Sequence, residues 1–284
     1  MAASWTRIRP EPPEANLALC AGAPRGTRTP IMCTLVVLSR PGHAWPLLLA
    51  GNRDESTRRP WRPPGRHWPD RPQVLAGLDL LGGGTWMGVN DAGLVALVMN
   101  RHGTLGPAPG KRSRGELVLA ALDWATTAAA MDALATQDLE LYRPFNLVLA
   151  DAGGAYWIAH RGGVRVRAQT IPPGAHLLSA WDLDDLRDAR VRCHLPQLGR
   201  ARAPDPAEGD WEDWIGLLAD RWVPPGAGPT TAMNFALEEG FGTLCSFLLA
   251  LPAPDRSPSL RRLLFAAGPP HQTPFLPLDW APRP

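Results

Sequence analysis

Cys33 follows Met32 at the head of a β-branched, apolar run, Cys33-Thr34-Leu35-Val36-Val37-Leu38. Methionine before a small residue is commonly trimmed, and that removal would leave Cys33 with a free α-amine. The unperturbed pKa of such an amine is about 8 and that of a thiol about 8.5, so the two groups are close in basicity. The amine can take the thiol proton directly or through a water, making one residue both nucleophile and base. A buried structural cysteine on an apolar strand is the competing reading. Arg53 and Asp54, in Gly51-Asn52-Arg53-Asp54-Glu55, end the next apolar run. A cation there would stabilise a thiolate, and a carboxylate would hold an α-amine. Asn100 closes a third run, Val98-Met99-Asn100, where its side-chain N–H could serve a developing oxyanion. Taken singly, the first group also reads as a solvated charge cluster, and Asn100 as the end of a strand.

The elements that must position these residues follow from the pattern. Cys33 to Leu38 and Trp45 to Asn52 are predicted strands joined by the turn Arg40-Pro41-Gly42, which makes a hairpin. In an antiparallel hairpin the start of the first strand lies beside the end of the second, so Arg53 and Asp54 fall near Cys33. Thr57 to Arg71, rich in Pro and Arg, reads as a long irregular loop. Val74 to Leu78 is a short strand, and Trp86 to Asn100 a hairpin turning at Asp91-Ala92-Gly93. Ser113 with Glu116 has the spacing of a capping box for a helix running through Leu117 to Asp123. A second helix spans about Thr127 to Ala135, capped by Thr126 or Thr127. Strands are expected at Phe145 to Ala150, Ala155 to His160, Val164 to Ala168 and His176 to Ser179. Helices are expected at Arg187 to Leu198 and Trp211 to Arg221, and late strands at Thr243 to Leu251 and Leu260 to Ala266. Hairpins dominate and no βαβ alternation is sustained, which argues for an α+β fold of antiparallel sheets covered by helices.

Composition narrows the function classes. The 284 residues are 45% hydrophobic and 20% charged, with 29 Lys plus Arg against 27 Asp plus Glu. That is ordinary globular usage, long enough to bury a core, and a net charge of +2 gives no electrostatic footprint for nucleic acid. No run of about 18 apolar residues predicts a membrane span. The four cysteines form no CxxC pair and no disulfide framework, and a reducing, cytoplasmic setting is the default. His102, His160, His176 and His194 lack metal-ligand spacing, and neither a metal nor a cofactor is expected. Gly82-Gly83-Gly84 lacks the Lys-Ser/Thr and the strand-to-helix setting of a phosphate loop. Residues 1–31, rich in Pro, Arg and Ala, are expected to be an unstructured extension that is removed, or a mispredicted start ahead of Met32. Residues 32–284 are expected to form one domain.

Six motifs in order, Met32-Cys33-Thr34-Leu35-Val36, Asn52-Arg53-Asp54-Glu55, Gly83-Gly84-Thr85-Trp86-Met87-Gly88-Val89-Asn90, Ser113-Arg114-Gly115-Glu116-Leu117, Phe145-Asn146-Leu147-Val148-Leu149 and Gly242-Thr243, resemble the NRDE family, also called the transport and Golgi organisation 2 family. The resemblance runs from Met32 to about Leu251. It implies a four-layer αββα sandwich like that of N-terminal nucleophile hydrolases, whose choloylglycine hydrolases and penicillin V acylases cleave amides. In those enzymes an Arg and an Asp follow the second strand, and Arg53 and Asp54 match them loosely. Val89-Asn90-Asp91-Ala92-Gly93-Leu94 leads to Asn100 as their pattern leads to a site Asn. The chain departs from the acylases at Leu178-Ser179-Ala180-Trp181, which has no Asn. It departs from many relatives at Gly242-Thr243, which Leu244-Cys245-Ser246 follows in place of Arg and Ser.

The resemblance implies catalytic roles for Cys33, Arg53, Asp54 and Asn100, with Asn52 and Trp86 against the substrate. The expected reaction is hydrolysis of a small-molecule C–N amide bond. The alternative is a catalytically inactive carrier of haem or another apolar ligand, its site lined by some of the 12 Trp.

Overall fold

Alternation of apolar residues along the strands decides which surfaces meet. The computed structural model describes residues 33–163 and 166–281. The expected extension at 1–31, Met32 and the start of the strand expected at Val164 lie outside them. β1 (Thr34–Ser39) and β2 (Leu47–Ser56) open a first sheet. A second sheet then forms in unbroken chain order from β3 (Trp61–Gly65), β4 (Val74–Asp79), β5 (Met87–Asn90), β6 (Val95–Asn100), β7 (Phe145–Asp151), β8 (Gly154–His160) and β9 (Val166–Thr170). The chain returns to the first sheet with β10 (Gly174–Leu178), β11 (Ala236–Leu237), β12 (Phe241–Leu251), β13 (Arg262–Ala266) and β14 (Leu276–Pro277). That sheet runs β10-β1-β2-β12-β13-β14, with β11 on β12, and the ladders of both sheets are antiparallel.

Helices α1 (Gly115–Leu122) and α2 (Thr127–Ala135) fall between β6 and β7, and α3 (Ala189–Leu198) and α4 (Glu212–Ala219) between β10 and β11. Odd-numbered Leu35, Leu49 and Phe247 of the first sheet pack against Val89, Leu97 and Trp157 of the second. Even-numbered Val36, Leu48 and Leu248 turn away to meet Val191 of α3 and Trp214 of α4. Ala96 and Leu147 of the second sheet meet Leu117 and Leu122 of α1 and Ala130 of α2. The period of two on each strand therefore stacks helices, sheet, sheet and helices, which is the αββα sandwich. No helix among the described residues is long and apolar enough to cross a membrane.

Two local expectations change. The stretch from Thr57 to Arg71 contains an edge strand, β3, rather than loop alone. Its prolines Pro63 and Pro64 lack N–H donors, and the register breaks between Arg62 and Gly65, as suits an edge position. Ser113 does not cap α1. The cap position is Arg114, with no side-chain bond, because Glu116 is drawn to Arg112 Nε at 2.8 Å and does not fold back as a capping box requires. Cys33 and Cys245 are free. Thr126 caps α2 as predicted, its hydroxyl accepting from the Ala129 N–H at 3.3 Å.

Candidate active site

Cys33 immediately precedes β1 and, being odd-numbered, packs on the inter-sheet side. The register of β1 on β2 sets Thr34 opposite Asn52, so Cys33 meets the motif Asn52 to Glu55 end to end. Its Sγ lies 3.8 Å from the Asp54 carbonyl oxygen, to which it donates. Burial, with the Asp54 carboxylate behind it, pushes the thiol up to about 11, against the opposing pull of Arg53. At neutral pH the thiol is therefore protonated, and attack requires a base at the moment of reaction.

Alternation along β2 divides the motif. Arg53 turns inward with Cys33. Its guanidinium lies 4.3 Å from the centroid of Trp86 and 5.9 Å from that of Trp61, and it stands 3.9 Å from Glu55 and 4.0 Å from Asp79. The side chain is 5% exposed, and its Nη1 has no hydrogen-bond partner. Asn52 and Asp54 turn outward, beneath the helices. Asn52 Nδ2 donates to Leu218 O at 3.0 Å and Met233 O at 2.8 Å, and its Oδ1 accepts from Ser246 Oγ at 2.6 Å. Asp54 accepts from Arg190 Nη1 of α3 and from Thr243 Oγ1 of β12, both at 2.7 Å. Burial raises the Asp54 carboxyl, while Arg190 and Thr243 oppose that rise. The same Arg190 nitrogen donates to Thr34 Oγ1 at 2.6 Å, tying α3 to the residue after Cys33.

A cleft of about 310 Å³ opens onto this corner. Cys33, Arg53, Asp54, Trp86 and Asn100 all line it. A narrow apolar slot of about 20 Å³ continues inward between the sheets past Cys33, Leu97, Phe247 and Phe265. Asn52 borders only this slot, with its amide committed on the helix side. Asn100 reaches the cleft from the end of β6, and no hydrogen bond joins it to Cys33 among the described residues.

Three residues at this corner are not picked out as site residues by the sequence: Arg190 and Arg143, and Arg114, which the sequence marks only as part of the motif Ser113-Arg114-Gly115-Glu116-Leu117. Arg190 is a buried cation in an otherwise ordinary helix, and an Arg inside a half-apolar helical stripe is the signal that could have found it. Arg114 and Arg143 line the cleft from loops that only the fold brings together. The quoted motifs acquire physical roles. A Cβ on Gly84 would lie 2.6 Å from the Gly115 carbonyl carbon, so two motifs exist to let backbones touch where α1 starts. A Cβ on Gly242 would lie 2.5 Å from Phe235 O, and its neighbour Thr243 holds Asp54. Asn146 accepts from Arg101 and Trp157 and donates to Ser179 O and Trp181 O, fixing the mid-chain loop. No group of three or more His, Cys, Asp or Glu that could hold a metal occurs among the described residues.

Two antiparallel sheets between helix pairs, with a cysteine at the head of the strand that opens the cleft, define an N-terminal nucleophile hydrolase-like fold. The structure is similar to that of a Caenorhabditis elegans N-acylethanolamine-hydrolyzing acid amidase ortholog, with a TM-score of 0.52 over 78% of this chain and 94% of that one. Sequence identity there is 13%, so the likeness concerns the fold. Residues 32–199 match the family Transport and Golgi organisation 2, and the chain belongs to that family. It is 37% identical over 119 residues to the Transport and Golgi organization protein 2 homolog of Bos taurus, a match covering 38% of this chain and 40% of that protein. Against the Homo sapiens homolog it is 34% identical over 118 residues, covering 40% and 41%. The match thus spans about two fifths of the length of these relatives.

Proposed function

We propose that this chain is an N-terminal-cysteine hydrolase that cleaves a C–N amide bond of a small molecule. The observation that carries the reading is the place of Cys33, at the head of β1, beside an inward-facing arginine, at the junction of a cleft and an inner slot. Removal of everything up to Met32 would expose the Cys33 α-amine. That amine takes the thiol proton as Sγ attacks the carbonyl carbon, which matters because burial keeps the thiol protonated. The tetrahedral oxyanion lies toward Asn100, and Arg53 steadies the developing charge. The C–N bond breaks, the amine leaves with the proton, and water then hydrolyses the thioester. Asn52 and Asp54, in this reading, are positioning residues that hold β1, β2 and β12 in register. Trp86 forms the wall against which the substrate rests.

The carrier alternative is less well supported. The inner apolar slot is only about 20 Å³, and the larger cleft mixes apolar Leu81, Trp86, Val98 and Met99 with charged Arg53, Glu55, Arg114 and Arg143. The test has two parts. Intact mass and N-terminal sequencing of the mature protein should show a chain beginning at Cys33. Cys33→Ala should then abolish amide hydrolysis while leaving the unfolding transition within about 1 kcal/mol of the parent. A chain beginning upstream of Cys33, or hydrolysis surviving in Cys33→Ala, sinks the proposal.

A further inference from the structure

The outer wall of the cleft carries a concentration of positive charge with few counterions. Arg114 donates to Thr104 O at 3.0 Å and to Pro144 O at 3.1 Å. Arg143 donates to Leu105 O at 2.7 Å, Gly106 O at 3.0 Å and Gly103 O at 3.1 Å. Neither guanidinium meets a carboxylate among the described residues, and both approach the Gly106 carbonyl. Lys111 Nζ, which lines the same cleft, donates among the described residues only to the Glu140 carbonyl oxygen. The acidic residues of the cleft are engaged elsewhere. Asp79 pairs with Arg59 at 2.7 Å, Asp54 with Arg190, and Glu55 stands between Arg53 and Arg59. Burial above all, then Arg143 and Arg59, depress Arg114 to about 10, against an opposing pull from Cys33 and Glu55.

Two independent features point the same way. Helix α1 starts on this wall without a side-chain cap, and its cap residue Arg114 and first residue Gly115 line the cleft, so the positive end of the helix faces it, although the Glu116 and Leu117 N–H groups already donate to Ser113 O and Arg114 O. Arg53, which also lines the cleft, has a side chain 5% exposed, and its Nη1 has no hydrogen-bond partner among the described residues. A buried donor left unsatisfied costs free energy that a bound acceptor would recover.

The inner slot adds a size limit at the other end of the site. At about 20 Å³ it admits a group about the size of one water or one methyl. Its lining by Leu97, Phe247 and Phe265 suits a hydrocarbon group.

We propose that the substrate is a short-chain N-acyl amide with an anionic amine portion: an acetyl-sized acyl group enters the inner slot, and a carboxylate or phosphate on the amine side binds Arg114, Arg143 and the start of α1. This rests on the amidase reading of Cys33 and adds the substrate class to it. The anion is shared chemistry, and the arms of the test separate its two sources.

The probes are acetanilide, 4-acetamidobenzoate, 4-acetamidophenyl phosphate and 4-octanamidobenzoate. Binding is measured by calorimetry on the mature Cys33→Ala protein, and hydrolysis on the mature parent by release of the aniline. The anionic acetamides should bind about tenfold to a hundredfold more tightly than acetanilide, the range expected for hydrogen bonds to a charged group. That advantage should shrink as salt is raised. Arg114→Gln with Arg143→Gln should remove the advantage and leave acetanilide binding as it was. If the double variant does not fold, the comparison of probes on unsubstituted arginines still decides. Tighter binding of the benzoate than of the phosphate assigns a carboxylate, and the reverse a phosphate. Equal binding of charged and neutral acetamides, or preference for the octanoyl probe, overturns the proposal. Selective binding of the anionic acetamides without hydrolysis by the parent would leave the anion site standing and sink the amidase reading instead. Hydrolysis of all four probes with equal kcat/KM would do the opposite.

Discussion

Replacing Asp54 by Asn separates a structural role from a catalytic one. The substitution keeps the shape of the side chain and removes the charge opposite Arg190. The pair is closed at 2.7 Å, with side-chain exposures of 2% for Arg190 and 0% for Asp54. Removing one member of a buried pair leaves an uncompensated charge and costs about 3–5 kcal/mol. Here the lower end applies. Arg190 keeps its bonds to Thr34 Oγ1 at 2.6 Å and Thr230 O at 2.9 Å, and an Asn Oδ1 still accepts from Thr243. With a urea m-value of about 3 kcal/mol/M, a loss of about 3 kcal/mol moves the unfolding midpoint down by about 1 M.

The complementary variant behaves differently. Arg190→Met leaves a carboxyl whose pKa burial already raises, and it removes the cation that opposes the rise. The folded-state value then stands further above the unfolded value of about 3.9. Between those two values the folded state binds the extra proton, so this variant regains stability as pH falls through the raised value. Asp54→Asn, with no proton to take up, shows no such recovery. The double variant Asp54→Asn/Arg190→Met should lose less than the two single losses added together. A midpoint for Asp54→Asn within about 0.3 M of the parent, or a double variant as damaged as the sum of the singles, would refute the bracing role.

Gly84→Ala drives a Cβ to 2.6 Å from the backbone of Gly115, and should cost about 1–3 kcal/mol, read from the shift in the thermal midpoint. Arg53→Met replaces a buried, incompletely satisfied cation by an apolar side chain, so chemical denaturation should show stability unchanged or raised. The same variant should lower kcat/KM for amide hydrolysis more than tenfold. His176 bonds Asp184 at 2.6 Å, and that bond raises its pKa above the unfolded value. Its contribution is fully present below about pH 6.5 and is lost as pH rises through the raised folded value. The gap in stability between the parent and His176→Gln should therefore close on the alkaline side. A gap that does not change with pH would remove the charged pair from the account.

The parts of the fold visible in the sequence are those made by neighbours in the chain. The hairpins of β1 with β2 and of β5 with β6 announce themselves by β-branched runs and a Gly turn, and the structure pairs Thr34 with Asn52 and Met87 with Leu97. Strand β12 was expected, but not its place beside β2. That ladder joins Asn52 to Ser246 and Asp54 to Thr243, and nothing local in either strand encodes its partner. The outer strand β3 was hidden by Pro63 and Pro64, which are compatible with a strand only at an edge. Arg143 and Arg114 are separated by a helix pair, and nothing local in either stretch shows that the loop from Gly103 to Gly106 is folded between them. Lys111, Arg112 and Arg114 are neighbours in the chain, but only the fold adds Arg143 to them.

The motif Asn52-Arg53-Asp54-Glu55 shows what a linear reading loses even where it finds the right residues. Read as a cluster, its four polar side chains converge on Cys33. On a strand they cannot, because successive side chains leave opposite faces. Extended pairing to Ser56 keeps β2 regular through the motif, so Arg53 and Glu55 turn into the cleft, while the Asn52 amide and the Asp54 carboxylate are held under α3 and α4 even though Asp54 still borders the cleft. The consequence is a division of labour that composition alone would not suggest. The outward pair meets Leu218 O, Met233 O, Arg190 and residues of β12, and so locks strand register one residue away from the thiol. A slip of that register by a single residue would exchange the two faces, turning the inward arginine out and a carboxylate in beside Cys33. Damage to Asn52 or Asp54 should therefore lower activity together with stability. Damage to Arg53 should lower activity alone, and that contrast marks which half of the motif faces the chemistry.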